Sequence, residues 1–276
     1  MGEKNISILG CGWMGFPLAQ HLISKGWAVR GSTTTREKLT TLEQAGIRPY
    51  HISFEPELQC EECDDFWQSD ILFLNIPPGR RHADVEERHP AQIKSVLEQV
   101  EKGKISWIIF AGSTSVYPNN SKLVEEAHAS RGSDVSASGR ALMHAEELLH
   151  ATHGVETTIL RFGGLYGYDR HPANYLSGKK GLKNGSAPVN LIHRDDCIQI
   201  IDHILEDEIQ GETYNCVSDG HPPRREFYKA AADLLGVEPP TFEDSDEGSK
   251  RTKIVSNQKL KQDLNYTFRY PNPMDL

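Results

Sequence analysis

No run of about 18 apolar residues occurs in this 276-residue chain, so no helix able to span a bilayer is expected. The apolar stretch 6–19 is broken by glycines and lacks a small-residue cleavage site. It reads as strand, turn and helix rather than as a signal peptide. Cysteines are few, odd in number and scattered: Cys11, Cys60, Cys63, Cys197 and Cys216. That usage speaks against a disulfide scaffold and suits a reduced, cytoplasmic protein. Cys60-Glu61-Glu62-Cys63 has metal-like spacing, but no second Cys or His pair follows at ribbon distance. The pair therefore reads as incidental, and no metal is expected. A basic excess is missing as well: Lys+Arg number 30 against 39 Asp+Glu, a net charge of −9. With no basic helix, that argues against a nucleic-acid partner but leaves room for one local anion pocket. Low-complexity tracts and internal repeats are absent.

Against these absences, 37% of the residues are hydrophobic and 8% aromatic, enough for a sizeable core. Apolar runs and helical spacing alternate from the start. Strands are expected at 6–9, 27–29, 48–52, 71–76, 105–111 and 157–161, with helices at 14–24, 36–45, 90–101 and 137–152. This β-α rhythm implies an α/β fold: a Rossmann-type, doubly wound parallel sheet with helices on both faces. After Phe162 the rhythm loosens. Residues 163–188, rich in Gly, Pro and basic residues, read as a loop-rich insertion, and 189–217 returns to the sheet. The expected organisation is a dinucleotide-binding domain over 1–162, completed by 189–217. A smaller substrate-side subdomain would comprise 163–188 and 218–276.

Gly10-Cys11-Gly12-Trp13-Met14-Gly15 fits G-x-G-x-x-G after a strand and at the opening of a helix. Gly10 permits the tight turn, Gly12 lets backbone approach a pyrophosphate, and Gly15 allows close helix–sheet packing. The helix N-terminus then faces the anion, so Gly10, Gly12, Trp13, Met14 and Gly15 are candidate cofactor-binding residues. The second strand should deliver a ribose reader. An acid there would bond the 2′-hydroxyl of NAD, but the stretch is Arg30-Gly31-Ser32-Thr33-Thr34-Thr35-Arg36, with no acid before Glu37. Ser32, Thr33, Thr34 and Arg36 suit a 2′-phosphate, because Arg makes charge-assisted bonds to phosphate. NADP(H) is therefore favoured, with NAD(H) as the alternative. The same Ser/Thr run could instead cap the next helix. Pro77 follows the fourth strand at the carboxyl edge, where backbone would pass a cofactor. Arg80-Arg81-His82, Arg170-His171 and Lys179-Lys180 concentrate cations that could hold an anionic substrate or be ordinary solvated loop residues.

Three further motifs occur in order: Phe110-Ala111-Gly112-Ser113-Thr114-Ser115-Val116-Tyr117, Leu160-Arg161-Phe162-Gly163-Gly164-Leu165-Tyr166-Gly167, and Asn190-Leu191-Ile192-His193-Arg194-Asp195-Asp196. With the glycine loop they resemble an extended, atypical short-chain dehydrogenase/reductase of the NAD-dependent epimerase/dehydratase superfamily. The run from Gly10 to Ala19, with Arg170-His171-Pro172, resembles a narrower bacterial branch, the YeeZ-like proteins. The resemblance implies Ser113 as the strand-edge hydroxyl that orients a reacting oxygen. It also implies a Tyr-x-x-x-Lys pair on the next helix, but those places hold Ser138 and Leu142. An aliphatic hydroxyl is a far poorer proton donor than a phenol of pKa about 10. Tyr117, Tyr166 and His193 are candidate substitutes that could equally be structural, and Asp195-Asp196 suit a helix start.

Two readings follow. One is an NADP(H)-dependent oxidoreductase or epimerase-type enzyme acting on a small anionic or sugar-derived substrate, with Ser113 and Tyr117 as its candidate catalytic residues. The other is a non-catalytic dinucleotide-binding sensor or regulator. No membrane partner is expected, and the oligomeric state is open.

Overall fold

The computed structural model describes residues 4–79, 82–119, 123–243 and 252–275. Its strands are β1 (Asn5–Leu9), β2 (Ala28–Thr33), β3 (Arg48–Phe54), β4 (Leu58–Cys60), β5 (Ile71–Leu74), β6 (Trp107–Ser113), β7 (Leu123–Val124), β8 (Glu156–Phe162), β9 (Gly164–Tyr166), β10 (Leu191–His193), β11 (Thr213–Cys216) and β12 (Ile254–Val255). Its helices are α1 (Gly15–Ser24), α2 (Leu39–Gln44), α3 (Val85–Val100), α4 (Ala137–His150), α5 (Ala173–Leu176), α6 (Arg194–Glu206), α7 (Arg224–Leu235) and α8 (Gln258–Asp263). None of the described helices is long and apolar enough to cross a membrane.

Eight strands form one sheet in the order β11-β8-β6-β5-β1-β2-β3-β4. The pairs β1–β2, β2–β3, β1–β5 and β5–β6 are parallel. Strand order therefore runs outward from β1 in both directions, and the point of reversal lies between β1 and β5. In open α/β sheets, ligands bind beyond the carboxyl ends of the strands at such a point. β1 sits at the centre because both of its faces are apolar: Ile6, Ile8 and Leu9 are buried. Its one buried polar residue, Ser7, bonds the Ser69 hydroxyl and the Phe66 carbonyl, so burial leaves it satisfied.

The chain divides into two compact units. The first comprises residues 1–112, 137–160 and 202–213. Its core includes Ile8, Leu18, Leu22, Phe66, Phe73 and Ile109. The second comprises 113–136, 161–201 and 214–276. It is built around Tyr117, Phe162, Ile192, Tyr214, Phe227 and Val255, and it contains the small parallel sheets β9–β10 and β7–β12.

Three local features depart from the sequence expectation. Helix α3 starts at Val85 rather than at Pro90, so the proline lies inside the helix. Between β3 and β5 the chain adds the short antiparallel strand β4. Cys60 and Cys63 are not incidental neighbours but form a disulfide. Cys60 ends β4 and Cys63 caps the following 3₁₀ turn. Their Cα atoms come to 6.1 Å, inside the span of roughly 4.4–6.8 Å that a disulfide bridges.

Candidate cofactor site

The turn between β1 and α1 occupies residues 10–14 in the first unit. Two glycines, one in this turn and one at the start of α1, are required by the protein itself. Gly10 has φ +111°, and a Cβ there would lie 2.5 Å from the Asn75 carbonyl oxygen. A Cβ on Gly15 would overlap the Gly10 carbonyl. Gly12 differs. It is exposed, its φ is outside the left-handed range, and a Cβ would meet nothing within 4 Å. The fold does not need a glycine at position 12, so its bare backbone leaves space for something outside the chain. A pyrophosphate placed against the start of the ten-residue helix α1 fits that space.

The turn is anchored from both neighbouring strands. The Gly10 N–H donates to the Ser32 hydroxyl at 2.9 Å, and the Cys11 N–H donates to the Ser32 carbonyl at 2.8 Å. From the β5 side, the Asn75 amide donates to the Gly10 carbonyl at 3.1 Å. Trp13 is half-buried, whereas the Met14 side chain is buried and can offer a ligand only its backbone. Burial pushes the Cys11 thiol up to about 12, so it stays protonated and unreactive.

Beyond β2 the candidate ribose readers separate. Ser32 is 2% exposed and committed to the glycine turn. Thr33 is buried and its hydroxyl accepts the Thr35 N–H. Thr34 and Arg36 are exposed. The Arg36 side chain is 65% exposed, and its guanidinium lies 3.7 Å from the Glu61 carboxylate. Arg30 is not available to a ligand in the same way. It donates to Asp65 at 2.9 Å, and Arg48 and the Tyr50 hydroxyl converge on the same carboxylate. The bonds from Arg30 and Tyr50 hold Asp65 down to about 2. Pro77 is exposed beyond the end of β5.

In the second unit, the Ser113 hydroxyl accepts the Ser115 N–H at 3.2 Å, which leaves its own proton free to donate. Tyr117, considered from the sequence as a proton donor, lies only 1% exposed. Its phenol donates to the Asn215 side chain at 2.6 Å and accepts from Arg161 at 2.8 Å. Burial pushes it up to about 12. Arg161 also donates to the Glu126 carbonyl, and the Glu126 carboxylate accepts the Asn215 N–H, so the cluster closes on itself. Tyr166 and His193 are buried together and stack edge to face at 5.2 Å. Burial raises the Tyr166 phenol and lowers the His193 imidazole. Asp196 is buried and takes three donors, the Tyr266 hydroxyl and the N–H groups of Arg269 and Tyr270. One residue without a sequence signal stands out. The Lys253 ammonium donates to the carbonyls of Thr114 and Tyr117, fastening the turn that follows Ser113.

Comparison with known proteins settles the family. The chain is 35% identical over 273 residues to Protein YeeZ of Escherichia coli K12, covering 98% of each chain. It is a YeeZ-like, atypical short-chain dehydrogenase/reductase. The model for the NAD binding domain of 6-phosphogluconate dehydrogenase matches residues 5–139. The model for the NAD dependent epimerase/dehydratase family matches 80–216. UDP-glucuronic acid 4-epimerase from Bacillus cereus, solved with UDP-glucuronic acid and NAD, shares 18% identity at a TM-score of 0.74, over 98% of this chain and 96% of that one. Vestitone reductase from alfalfa also superposes at a TM-score of 0.74, with 17% identity over 99% and 96%. One epimerase and one reductase at equal distance establish the Rossmann-type fold and leave the reaction open.

Within the YeeZ-like family frame, other sequence candidates fall as follows. Ser138 is half-buried and Leu142 buried on α4. Lys180 is paired with Glu238 at 2.5 Å, and the His171 imidazole accepts the Ala173 N–H, so the insertion spends part of its basic character internally. Arg80 and Arg81 lie outside the described residues.

Proposed function

We propose that this YeeZ-like protein binds NADP(H) in preference to NAD(H) and acts as an oxidoreductase or epimerase-type enzyme on a small anionic or sugar-derived substrate. The observation that carries the reading is the contrast within the glycine turn. Gly10 and Gly15 are needed by the fold, and Gly12 is not. Gly10, Gly12 and Gly15, with Trp13 and the Met14 backbone, would receive the pyrophosphate, and Pro77 would border the cofactor. Thr34 and Arg36 would read the 2′-phosphate. Ser32 contributes indirectly by holding the Gly10 N–H, and Thr33 by shaping the turn toward Thr35.

When bound, the nicotinamide gives or takes a hydride. The chain itself would supply the hydroxyl of Ser113 as donor to a substrate oxygen, since that hydroxyl already accepts the Ser115 N–H and keeps its own proton to give. Tyr117 is assigned to the structural cluster with Arg161, Glu126 and Asn215, not to proton transfer. Titration with NADPH and NADH, followed by nicotinamide fluorescence, tests the cofactor reading. Absence of binding by either dinucleotide would overturn it.

The buried phenol of Tyr117 and the Ser138 and Leu142 side chains in the places of the Tyr-x-x-x-Lys pair favour a second reading, a dinucleotide-binding sensor. NADPH consumption in the presence of pooled aldehydes, ketones and sugar nucleotides separates the two. Turnover supports the enzyme, and tight binding without turnover supports the sensor.

A further inference from the structure

The residues that would set cofactor preference adjoin the one disulfide among the described residues. Arg36, the proposed reader of the 2′-phosphate, pairs with Glu61 among the described residues. Glu61 is the second residue of Cys60-Glu61-Glu62-Cys63, whose two sulfurs are bonded. The bridged loop is short, and Glu62 within it takes a left-handed φ of 52° that non-glycine residues rarely adopt. Cys60 is half-buried, Cys63 is buried, and Glu61 is 86% exposed. The antiparallel pairing of Cys60 with Ile52 fixes the N-terminal side of the loop on the sheet. On the other side the Cys63 carbonyl accepts the Phe66 N–H at 2.9 Å, and the bridge ties the two ends of the loop to each other.

We propose that Glu61 is a specificity-determining residue, held against Arg36 by the Cys60–Cys63 bridge, so that the preference for NADPH over NADH responds to the thiol redox state. The inference rests on the reading of Arg36 as the 2′-phosphate reader. In the oxidised protein the Glu61 carboxylate competes with a 2′-phosphate for the guanidinium. A thiolate of a dithiol reductant attacks the accessible sulfur of Cys60, and Cys63 leaves as a thiolate and takes a proton. The second thiol of the reductant then displaces Cys60 from the mixed disulfide, giving two protein thiols and one oxidised dithiol. With the covalent closure gone, the loop loses its cross-link and Glu61 is no longer held toward Arg36. NADH carries no 2′-phosphate, and its affinity is unaffected.

The pair is exposed and long, so the expected effect is small, about two- to fivefold. NADPH and NADH are titrated at low ionic strength against the full chain, before and after dithiothreitol, for the wild type, Glu61→Gln and the double variant Cys60→Ser, Cys63→Ser. Free thiols are counted in parallel. Reduction should raise the thiol count by two and tighten NADPH two- to fivefold, with NADH unchanged. Glu61→Gln should bind NADPH with the tighter affinity in both states, and the double variant should ignore the reductant. Glu61 is a surface side chain, so that variant tests the idea without risk to folding. NADPH affinity that is the same in both redox states, or five free thiols without reductant, overturns the inference and leaves the cofactor reading intact. Failure of both dinucleotides to bind any variant overturns both.

Discussion

Substituting Gly12 by Val and Gly15 by Ala separates a glycine kept for a ligand from one kept for packing. At position 12 a Cβ meets nothing within 4 Å and the backbone is of a kind any residue adopts. Gly12→Val should therefore change stability by no more than about 0.5 kcal/mol in either direction. At position 15 the Cβ overlaps the Gly10 carbonyl and approaches the Ile8 methyl group to 3.2 Å. Overpacking of this kind costs about 1–3 kcal/mol. The better helix propensity of Ala returns up to about 1 kcal/mol. The net is a loss near 1–2 kcal/mol, or roughly 2–8 °C in Tm at 2–4 °C per kcal/mol for a chain of this size. Binding should sort the other way. The valine occupies the space proposed for the pyrophosphate and should weaken NADPH by at least about tenfold, or 1.4 kcal/mol. Gly15→Ala should keep affinity to the extent that it stays folded. Differential scanning fluorimetry gives the Tm values and nicotinamide fluorescence gives the affinities. If Gly12→Val binds NADPH within twofold of wild type, the open position is not a cofactor cradle and the argument from glycine packing fails.

Arg36→Ala should narrow the gap between NADPH and NADH by about tenfold or more, since a charged hydrogen bond contributes about 1.5–3 kcal/mol; wild-type protein that binds NADH more tightly would refute it. With a turned-over substrate in hand, Ser113→Ala should lower kcat by about 10²–10⁴-fold, while Ser138→Ala stays within a few-fold. His89 is fully buried and held down to about 4 from an ordinary 6.5, mainly by burial. It stays neutral in the native state while the unfolded chain takes up a proton below pH 6.5, so stability is complete above 6.5 and falls between 6.5 and 4, by about 3 kcal/mol at 1.36 kcal/mol per pKa unit. Urea denaturation of His89→Asn across that range should show a flatter profile than the wild type. Asp196→Ala should cost about 3 kcal/mol by stranding the buried Tyr266 hydroxyl and the N–H groups of Arg269 and Tyr270, measured by urea unfolding.

The sheet was legible because its strands are apolar on both faces and short-range pattern suffices to mark them, as in Ile6–Leu9. The glycine turn was legible for a similar reason: strand, turn and helix are contiguous. What escaped was decided by contacts far apart in the chain. The phenol of Tyr117 is closed off by Arg161 and Asn215, 44 and 98 residues away. Lys253 reaches back 139 residues to the Thr114 carbonyl. No periodicity encodes either pairing. The start of α3 was misplaced because proline favours a first helical turn, whereas here Val85, His89 and Ile93 are buried along the helix and draw its start toward Val85. The Cys60–Cys63 bridge was missed because it depends on β4, three residues long and without a hydrophobic pattern of its own. Ser32 shows the limit within the site itself. Its position suggested a contact to ribose, but the structure assigns its hydroxyl to the turn.

The buried carboxylate of Asp196 has a consequence for biosynthesis. Its three donors lie at residues 266–270, about seventy residues downstream. Each compact unit is also assembled from separated stretches, and the second needs residues up to the C-terminal region. On the ribosome, Asp196 emerges well before any of its partners has been synthesised. Burying an uncompensated carboxylate is costly, so Asp196 takes its final place only after residues 266–270 have been made. The order of synthesis thus sets an order of assembly: a chain interrupted before Tyr266 would carry Asp196 without any of these three donors.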